Sequence, residues 1–295
     1  MRRNNKTSIS SALSLGRSLL PNSPTPLLDS QLLLSHTLNT NKEYLIKNQN
    51  QLVAIKKVHQ FLYLIGKRST NYPIAYILKK KEFYGLDFYI NEGVLIPRPE
   101  TEAIVDIALD YVKTVNTKGI KILDLGTGSG CIPISLLIEI GKLKLNNNIS
   151  IDALDNSQTA INISKKNLKK LASQQNSNIK TRFVRLDYVL QDIKKDYDII
   201  ISNPPYLTKK EILKSRGSSI SYEPKEALFG IQKNGLFYYK IIADKWLNKM
   251  SDKGIAILEI GTQGLSEYKK IFKNYSIEVL KDFAGQNRFL VISHR

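Results

Sequence analysis

Apolar residues change their period twice along this chain, and each change marks a different kind of element. From Ser10 to about Gly66, Leu13, Leu20, Leu28, Leu32, Leu52, Ile55, Phe61 and Leu62 recur at helix-like intervals. Pro21, Pro24, Pro26 and the Asn-rich stretch Asn39 to Asn50 break that run into short helices. Between Lys81 and Ile90 the pattern turns to alternation around Gly85, which predicts a hairpin. Val94-Leu95-Ile96-Pro97-Arg98-Pro99-Glu100-Thr101-Glu102 follows as a stiff approach to a helix, with Pro99 suited to its first turn.

From Ile120 onward, strand-like runs alternate with helical ones. Strands are expected near Lys121–Leu125, Ser150–Leu154, Arg182–Leu186, Tyr197–Ser202 and Gly254–Ile260, with helices at Gly130–Ile140 and Ser157–Leu171. That alternation predicts an α/β fold whose parallel sheet is covered on both faces. The tail departs from it. Ile277–Asp282 and Arg288–Ser293 flank a Gly-containing turn and read as an antiparallel hairpin at one edge. The expected organisation is a helical domain over 1–78, a β-hairpin linker over 79–96 and an α/β domain over 97–295.

Composition narrows the classes. With 42% hydrophobic and 24% charged residues the chain has the balance of a globular protein. Its longest strongly apolar run, Cys131 to Ile140, falls well short of the roughly 20 residues of a membrane span. No membrane association is expected. Met1 to Ser11 is basic and Ser-rich without the apolar run of a secretory signal. No acid precedes Asp29, so a mitochondrial presequence competes with the cytoplasmic reading. A single cysteine and three scattered histidines provide neither a disulfide framework nor a metal-ligand set.

The net charge of +18 has two readings: an acidic partner, or the Lys, Asn and Ile usage of an AT-rich genome. Residues 1–80 carry 12 Lys and Arg against 2 acids, an asymmetry in favour of the first.

Three positions carry chemistry. Leu125-Gly126-Thr127-Gly128-Ser129-Gly130 is a glycine loop between a strand and a helix. Its glycines permit close approach, and N–H groups at a helix start favour an anionic ligand group. The loop reads G-x-G-x-G, and Cys131 departs from the dinucleotide fingerprint. A tight turn without a ligand is the competing reading. Asp155 ends the next strand, where a carboxylate can accept both ribose hydroxyls of a nucleoside; alternatively it caps the helix opening near Ser157. Tyr188, after the third strand, is placed to flank an adenine ring.

The third position is Asn203-Pro204-Pro205-Tyr206, which stops the apolar strand Tyr197–Ser202. Proline removes a ladder donor and keeps the residue before it out of the helical region, so the loop is stiff. Asn203 offers a side-chain carbonyl and Pro204 a backbone carbonyl, two acceptors for one –NH₂ group. Tyr206 adds an aromatic face. Holding both N–H bonds turns the lone pair of a poorly nucleophilic amide or amine nitrogen toward an electrophilic methyl on sulfonium. A simple Pro-rich strand terminator is the alternative.

Together, the glycine loop, Asp155 and Asn203 to Tyr206 resemble the S-adenosylmethionine-dependent amino methyltransferases. Tyr72 to Ile77, Glu82-Phe83-Tyr84-Gly85-Leu86, Val94 to Glu102, Tyr222 to Leu228 and Asp282 to Arg288 further resemble the bacterial PrmC/HemK protein-(glutamine-N5) methyltransferases. The likeness spans residues 10 to 293 and is strongest after Tyr72. It implies a Rossmann-like, mostly parallel sheet with an antiparallel C-terminal hairpin, plus a helical N-terminal domain. It also implies methyl transfer from S-adenosylmethionine to the glutamine of the Gly-Gly-Gln loop in class I peptide chain release factors.

By the same resemblance, Gly126, Thr127, Gly128, Ser129, Gly130, Asp155, Tyr188 and Asn203 line the cofactor. Asn203, Pro204, Pro205 and Tyr206 hold the glutamine amide and act in catalysis, and Arg98 with Pro97–Glu102 flanks the cofactor site. The N-terminal domain helps grip the release factor. Tyr222 stands where Phe is usual, and Gln286-Asn287 replaces a commoner charged pair. A monomer without metal or a stable nucleic-acid complex is expected. The competing activities are N6-adenine methylation of DNA or RNA, which shares the catalytic loop, and a ribosome-associated binding protein with a vestigial pocket.

Overall fold

The computed structural model describes residues 7–115, 119–143, 148–172, 178–193, 196–231 and 234–295. The presequence reading of Met1 to Ser11 therefore falls mostly outside the described residues. Two compact units emerge: one of residues 1–80 with Ser215–Tyr222, the other of Lys81–Lys214 with Glu223–Arg295.

The first unit holds helices α1 (Ile9–Ser18), α2 (Pro26–Leu38), α3 (Lys42–Lys47), α4 (Ile55–Ser69) and α5 (Ile74–Leu78), with strands β1 (Thr7–Ser8) and β2 (Leu52–Val53) paired antiparallel. Ser8 caps α1 and Asn41 caps α3 through their side chains, and Pro26 opens α2 at a position where its missing N–H costs nothing. Ile9, Leu33, Leu34, Phe61 and Ile65 form the core. Gly16 lets α1 approach α4 closely, since a Cβ there would lie 2.5 Å from Phe61 Cζ. A buried ion pair joins Arg68 Nε to Asp29 Oδ2 at 2.6 Å, and the Ser23 and Thr25 hydroxyls donate to the same carboxylate. Ser215–Tyr222 packs with these helices: Asn71 Nδ2 donates to Gly217 O, and the Tyr222 hydroxyl donates to Thr70 O at 2.9 Å.

The second unit begins with a hairpin of β3 (Lys80–Phe83) and β4 (Leu86–Tyr89), then α6 (Glu102–Thr114). Next come β5 (Gly119–Leu125), α7 (Cys131–Lys142), β6 (Asn148–Asp155), α8 (Gln158–Leu171), β7 (Ile179–Arg185) and β8 (Tyr197–Ser202). Helices α9 (Lys209–Lys214) and α10 (Phe237–Ile241) lead through a π turn at Ile242–Trp246 to β9 (Met250–Glu259), α11 (Leu265–Ile271), β10 (Ser276–Lys281) and β11 (Asn287–Ser293).

Seven strands form one sheet in the order β10-β11-β9-β8-β5-β6-β7, parallel except for β10 and β11. This is the parallel sheet that the alternation predicted, closed at one edge by the antiparallel hairpin read from the tail. Neighbouring residues on each strand serve opposite faces. Ile122, Ile199 and Ile257 pack under α6 and α7, while Leu123, Ile200 and Leu258 pack under Tyr239, Trp246 and Tyr268. The chain starts in the middle with β5, runs outward through β6 and β7, and returns to the other side of β5 with β8. Open α/β sheets bind ligands at such a reversal, outside the carboxyl ends of the strands. Leu125 on β5 pairs with Ser202 on β8, so Gly126 and Asn203 leave the sheet side by side.

Candidate active site

A cleft of about 440 Å³ opens at that reversal. Its walls include Gly126, Gly128, Asp155, Tyr188, Asn203 and Pro205, together with the approach Gly93–Leu95 and the aromatic pair Phe237 and Tyr238. The approach is anchored to the glycine loop by the fully buried Asn167. Its Oδ1 accepts the Tyr89 N–H, while Nδ2 donates to Tyr89 O and to Ser129 O, all at 2.8–2.9 Å.

Four of the loop's amides are engaged within the protein. Gly126 and Thr127 both donate to Leu154 O, Gly130 donates to Thr127 O, and Gly128 donates to Asp155 Oδ2 at 2.9 Å. The amides of Gly126, Thr127 and Gly128 are thus spent on β6 and its tip and that of Gly130 within the loop, so these four are not free for the anionic group expected at the helix start. What the loop offers instead is closeness. Gly128 sits at φ +56°, and a Cβ there would meet nothing within 4 Å, so its α-carbon faces open space. Gly130 differs, because a Cβ would lie 2.9 Å from Ser164 Cβ. Gly130 is a packing glycine, and Thr127 and Ser129 are buried without lining the cleft.

Asp155 lines the cleft but is not the cap of α8. Its two oxygens accept the Gly128 and Ser157 N–H groups, while Ser157 itself caps α8 through its hydroxyl. Each carboxylate oxygen keeps a second lone-pair direction for a ligand hydroxyl. Burial raises the carboxyl's pKa, and the two backbone donors oppose the rise. Tyr188 lines the cleft with its ring 5.9 Å from that of Tyr238, and its main-chain oxygen accepts the Trp246 indole N–H.

Charge in the cleft runs against the charge of the chain. Among the described lining residues, Asp155, Asp187 and Glu226 are carboxylates and none is Lys or Arg, although the protein carries +18. Beside the loop, Asp124 is buried with neither oxygen in a hydrogen bond, and its carboxyl is pushed up to about 7, chiefly by burial. The Thr127 hydroxyl nearby lowers it without reaching hydrogen-bonding geometry, and Asp155 raises it further. Acidic walls, glycines permitting close approach and paired acceptors at Asp155 fit a cationic nucleoside such as S-adenosylmethionine better than a phosphate.

Across the cleft, Asn203 Nδ2 donates to Thr101 Oγ1 at 3.3 Å, and Thr101 donates to Glu259 Oε2 at 2.6 Å. Tyr206 donates to the other oxygen of Glu259 at 3.4 Å. Two glycines make the seat for Tyr206: a Cβ on Gly261 would lie 2.6 Å from its ring, and one on Gly235 would lie 2.1 Å from its main-chain oxygen. Pro204 and Tyr206 do not line the cleft itself. Nor does Arg98, whose Nη2 is bound to Glu223 Oε1 at 2.6 Å. Sequence reading missed Glu259, Asp124 and Glu223. A lone acid inside an apolar strand, as in Ile255-Ala256-Ile257-Leu258-Glu259 and Ile122-Leu123-Asp124-Leu125, is the signal that marks the first two.

Residues 11–78 match the PrmC N-terminal domain, and residues 104–236 match the Methyltransferase small domain. The release factor glutamine methyltransferase of Clostridium acetobutylicum is 35% identical over 268 residues, covering 89% of this chain and 90% of its own. The chain belongs to that family. A second release factor glutamine methyltransferase, from Buchnera aphidicola, is 34% identical over 270 residues, covering 90% of this chain and 91% of its own. The bifunctional methyltransferase of Rickettsia prowazekii is 35% identical over 287 residues and 91% of this chain, but this member spans only 53% of that longer protein. Among solved structures, the hMettl16 catalytic domain in complex with MAT2A 3'UTR hairpin 1 aligns over 82% of each chain with a TM-score of 0.50 and 16% identity, a likeness of fold alone.

Proposed function

We propose that this chain transfers a methyl group from S-adenosylmethionine to the side-chain N5 of the glutamine in the Gly-Gly-Gln motif of class I peptide chain release factors. Its place in the release factor glutamine methyltransferase family supports the substrate, and the acidic cleft supports the cofactor. One observation carries the chemistry. Thr101 engages the amide nitrogen of Asn203, which leaves the Asn203 carbonyl as the acceptor for an incoming –NH₂ group.

Asp155 would hold the ribose hydroxyls, Tyr188 would flank the adenine, and Gly126 and Gly128 would let the ligand lie against the main chain. When bound, S-adenosylmethionine supplies an electrophilic methyl group on a sulfonium. The protein's part is positioning. Asn203 Oδ1 and the Pro204 carbonyl would fix both N–H bonds of the glutamine amide, Pro205 stiffens the loop, and the Tyr206 ring, set back from the cleft lining, would face the amide plane. Preorganised acceptors favour the pyramidal nitrogen of the transition state. The nitrogen grows acidic as its new bond to carbon forms, so its proton leaves to water without a dedicated base.

We read residues 1–78 as the part that recognises the release factor, 79–96 as linker and 97–295 as catalytic. We also read the protein as a cytoplasmic monomer that holds no nucleic acid stably. No helix among the described residues is long and apolar enough to cross a membrane.

The deciding experiment uses methyl-labelled S-adenosylmethionine with a release factor, its Gly-Gly-Gln Gln→Ala variant, and unmethylated DNA and RNA. Label is expected on the first alone. Equal labelling of both proteins, or labelling of nucleic acid only, overturns the reading.

A further inference from the structure

Asn203 is held by a hydrogen-bond chain that ends on a carboxylate sealed from water. Thr101 is 3% exposed and Glu259 1% exposed, so no solvent competes for either. A hydroxyl has one proton to give. While Glu259 is ionised it can only accept, so the Thr101 proton is committed to it at 2.6 Å and the Thr101 oxygen can only accept in turn. The Asn203 amide must then turn its NH₂ toward Thr101, as it does at 3.3 Å.

We propose that Glu259, acting through Thr101, is a positioning residue that fixes which end of the Asn203 amide meets the substrate. The inference rests on the methyl-transfer reading above. Protonated Glu259 would donate to Thr101, freeing the Thr101 proton to point at Asn203. The amide could then flip and present NH₂ to the substrate –NH₂, a donor against a donor. Direction in the chain thus follows the charge at its far end, 158 residues from Thr101 in sequence.

The surroundings set where that change falls. Burial pushes the Glu259 carboxyl up to about 7, against the pull of the Thr101 hydrogen bond, the Arg288 guanidinium from β11 and the Tyr206 hydroxyl; Glu100, beside Thr101, pushes the same way as burial. The Tyr239 hydroxyl donates to the main-chain oxygen of Glu259 and leaves its carboxylate alone.

The test compares Thr101→Val, Thr101→Ser and Glu259→Gln with wild type on a release factor substrate. Thr101→Val should lower kcat by about 10²-fold, the scale of a misplaced reacting group, with S-adenosylmethionine affinity within a few-fold. Thr101→Ser should recover kcat to within a few-fold of wild type. Wild-type kcat should fall as pH drops through about 7, and Glu259→Gln should remove that limb from a lower plateau. Wild-type kcat in Thr101→Val, Thr101→Ser as poor as Val, or cofactor affinity falling in step with kcat overturns the proposal.

A readout without substrate separates the two claims. The Asn203 side-chain amide ¹⁵N signal should shift through the same pH range in wild type and stay constant in Glu259→Gln. If wild type fails to methylate any release factor, the methyl-transfer reading fails while this signal still judges the chain. A signal constant in wild type overturns the positioning role.

Discussion

Arg98 Nη2 meets Glu223 Oε1 at 2.6 Å although 125 residues separate them, and the other Glu223 oxygen accepts the Ile96 N–H at 3.0 Å. One buried carboxylate thereby ties the approach before α6 to the segment after α9. Removing Arg98 strands that carboxylate, whereas Glu223→Gln keeps an acceptor for Ile96. Arg98→Ala should cost about 2–3 kcal/mol and Glu223→Gln about 1 kcal/mol. Urea unfolding followed by Trp246 checks this, because Trp246 is the chain's one tryptophan and is fully buried in this unit.

Gly128 and Gly130 should separate binding from folding. Gly128→Ala places a methyl group in open cleft at φ +56°, so S-adenosylmethionine affinity should fall at least tenfold with a stability loss of roughly 1–2 kcal/mol. In Gly130→Ala the methyl would press on Ser164 at 2.9 Å and meet the same left-handed backbone, so the larger loss should be in the unfolding midpoint. Calorimetry and unfolding on both variants should give opposite rankings.

Asp124 should make the protein less stable as pH rises. Its carboxyl goes from an ordinary 3.8 to about 7 on folding, so between those values the folded protein holds a proton that the unfolded chain has lost. The stability this contributes is complete below 3.8 and is lost as pH rises to about 7, at about 1 kcal/mol per pH unit. Asp124→Asn should flatten the decline between pH 4 and 7 and unfold at higher urea than wild type at pH 8. An unchanged slope would show that the carboxylate is solvated.

Asn203→Ala should abolish methyl transfer and leave S-adenosylmethionine affinity within a few-fold, if, as proposed, Asp155 and the glycine loop hold most of the cofactor. Loss of cofactor binding would show that Asn203 belongs to the cofactor site instead.

Much of the architecture could be read before any coordinates. The strand Tyr197–Ser202 and its stop at Asn203-Pro204 follow from β-branched residues meeting prolines, and Ser157 opens α8 because its hydroxyl satisfies the Ala160 N–H. The helical turns from Phe237 to Lys249 are harder to see. Tyr239, Ile242 and Trp246 recur three and four apart, but no side-chain cap marks a start and a π turn interrupts the period. Within the glycine loop, all three glycines look alike in sequence. Only packing against Ser164 and Phe183 separates Gly130 from Gly126 and Gly128.

The sequence by itself determined the order of strands and helices from β5 to β8, the glycine turn, the acid at the tip of β6 and the stiff Asn-Pro-Pro-Tyr loop. These follow from restrictions on φ and from hydrogen bonds between near neighbours, which a short stretch of chain expresses on its own. Tertiary structure alone decided that the Gly126, Thr127, Gly128 and Gly130 amides are spent internally, that the cleft is acidic in a basic protein, and that Asn203 leans on Thr101 and Glu259. Those facts depend on which distant groups share a water-free space. A buried carboxylate takes its meaning from the proton donors that face it, and for Glu259 distant parts of the chain supply them as Thr101 and Tyr206.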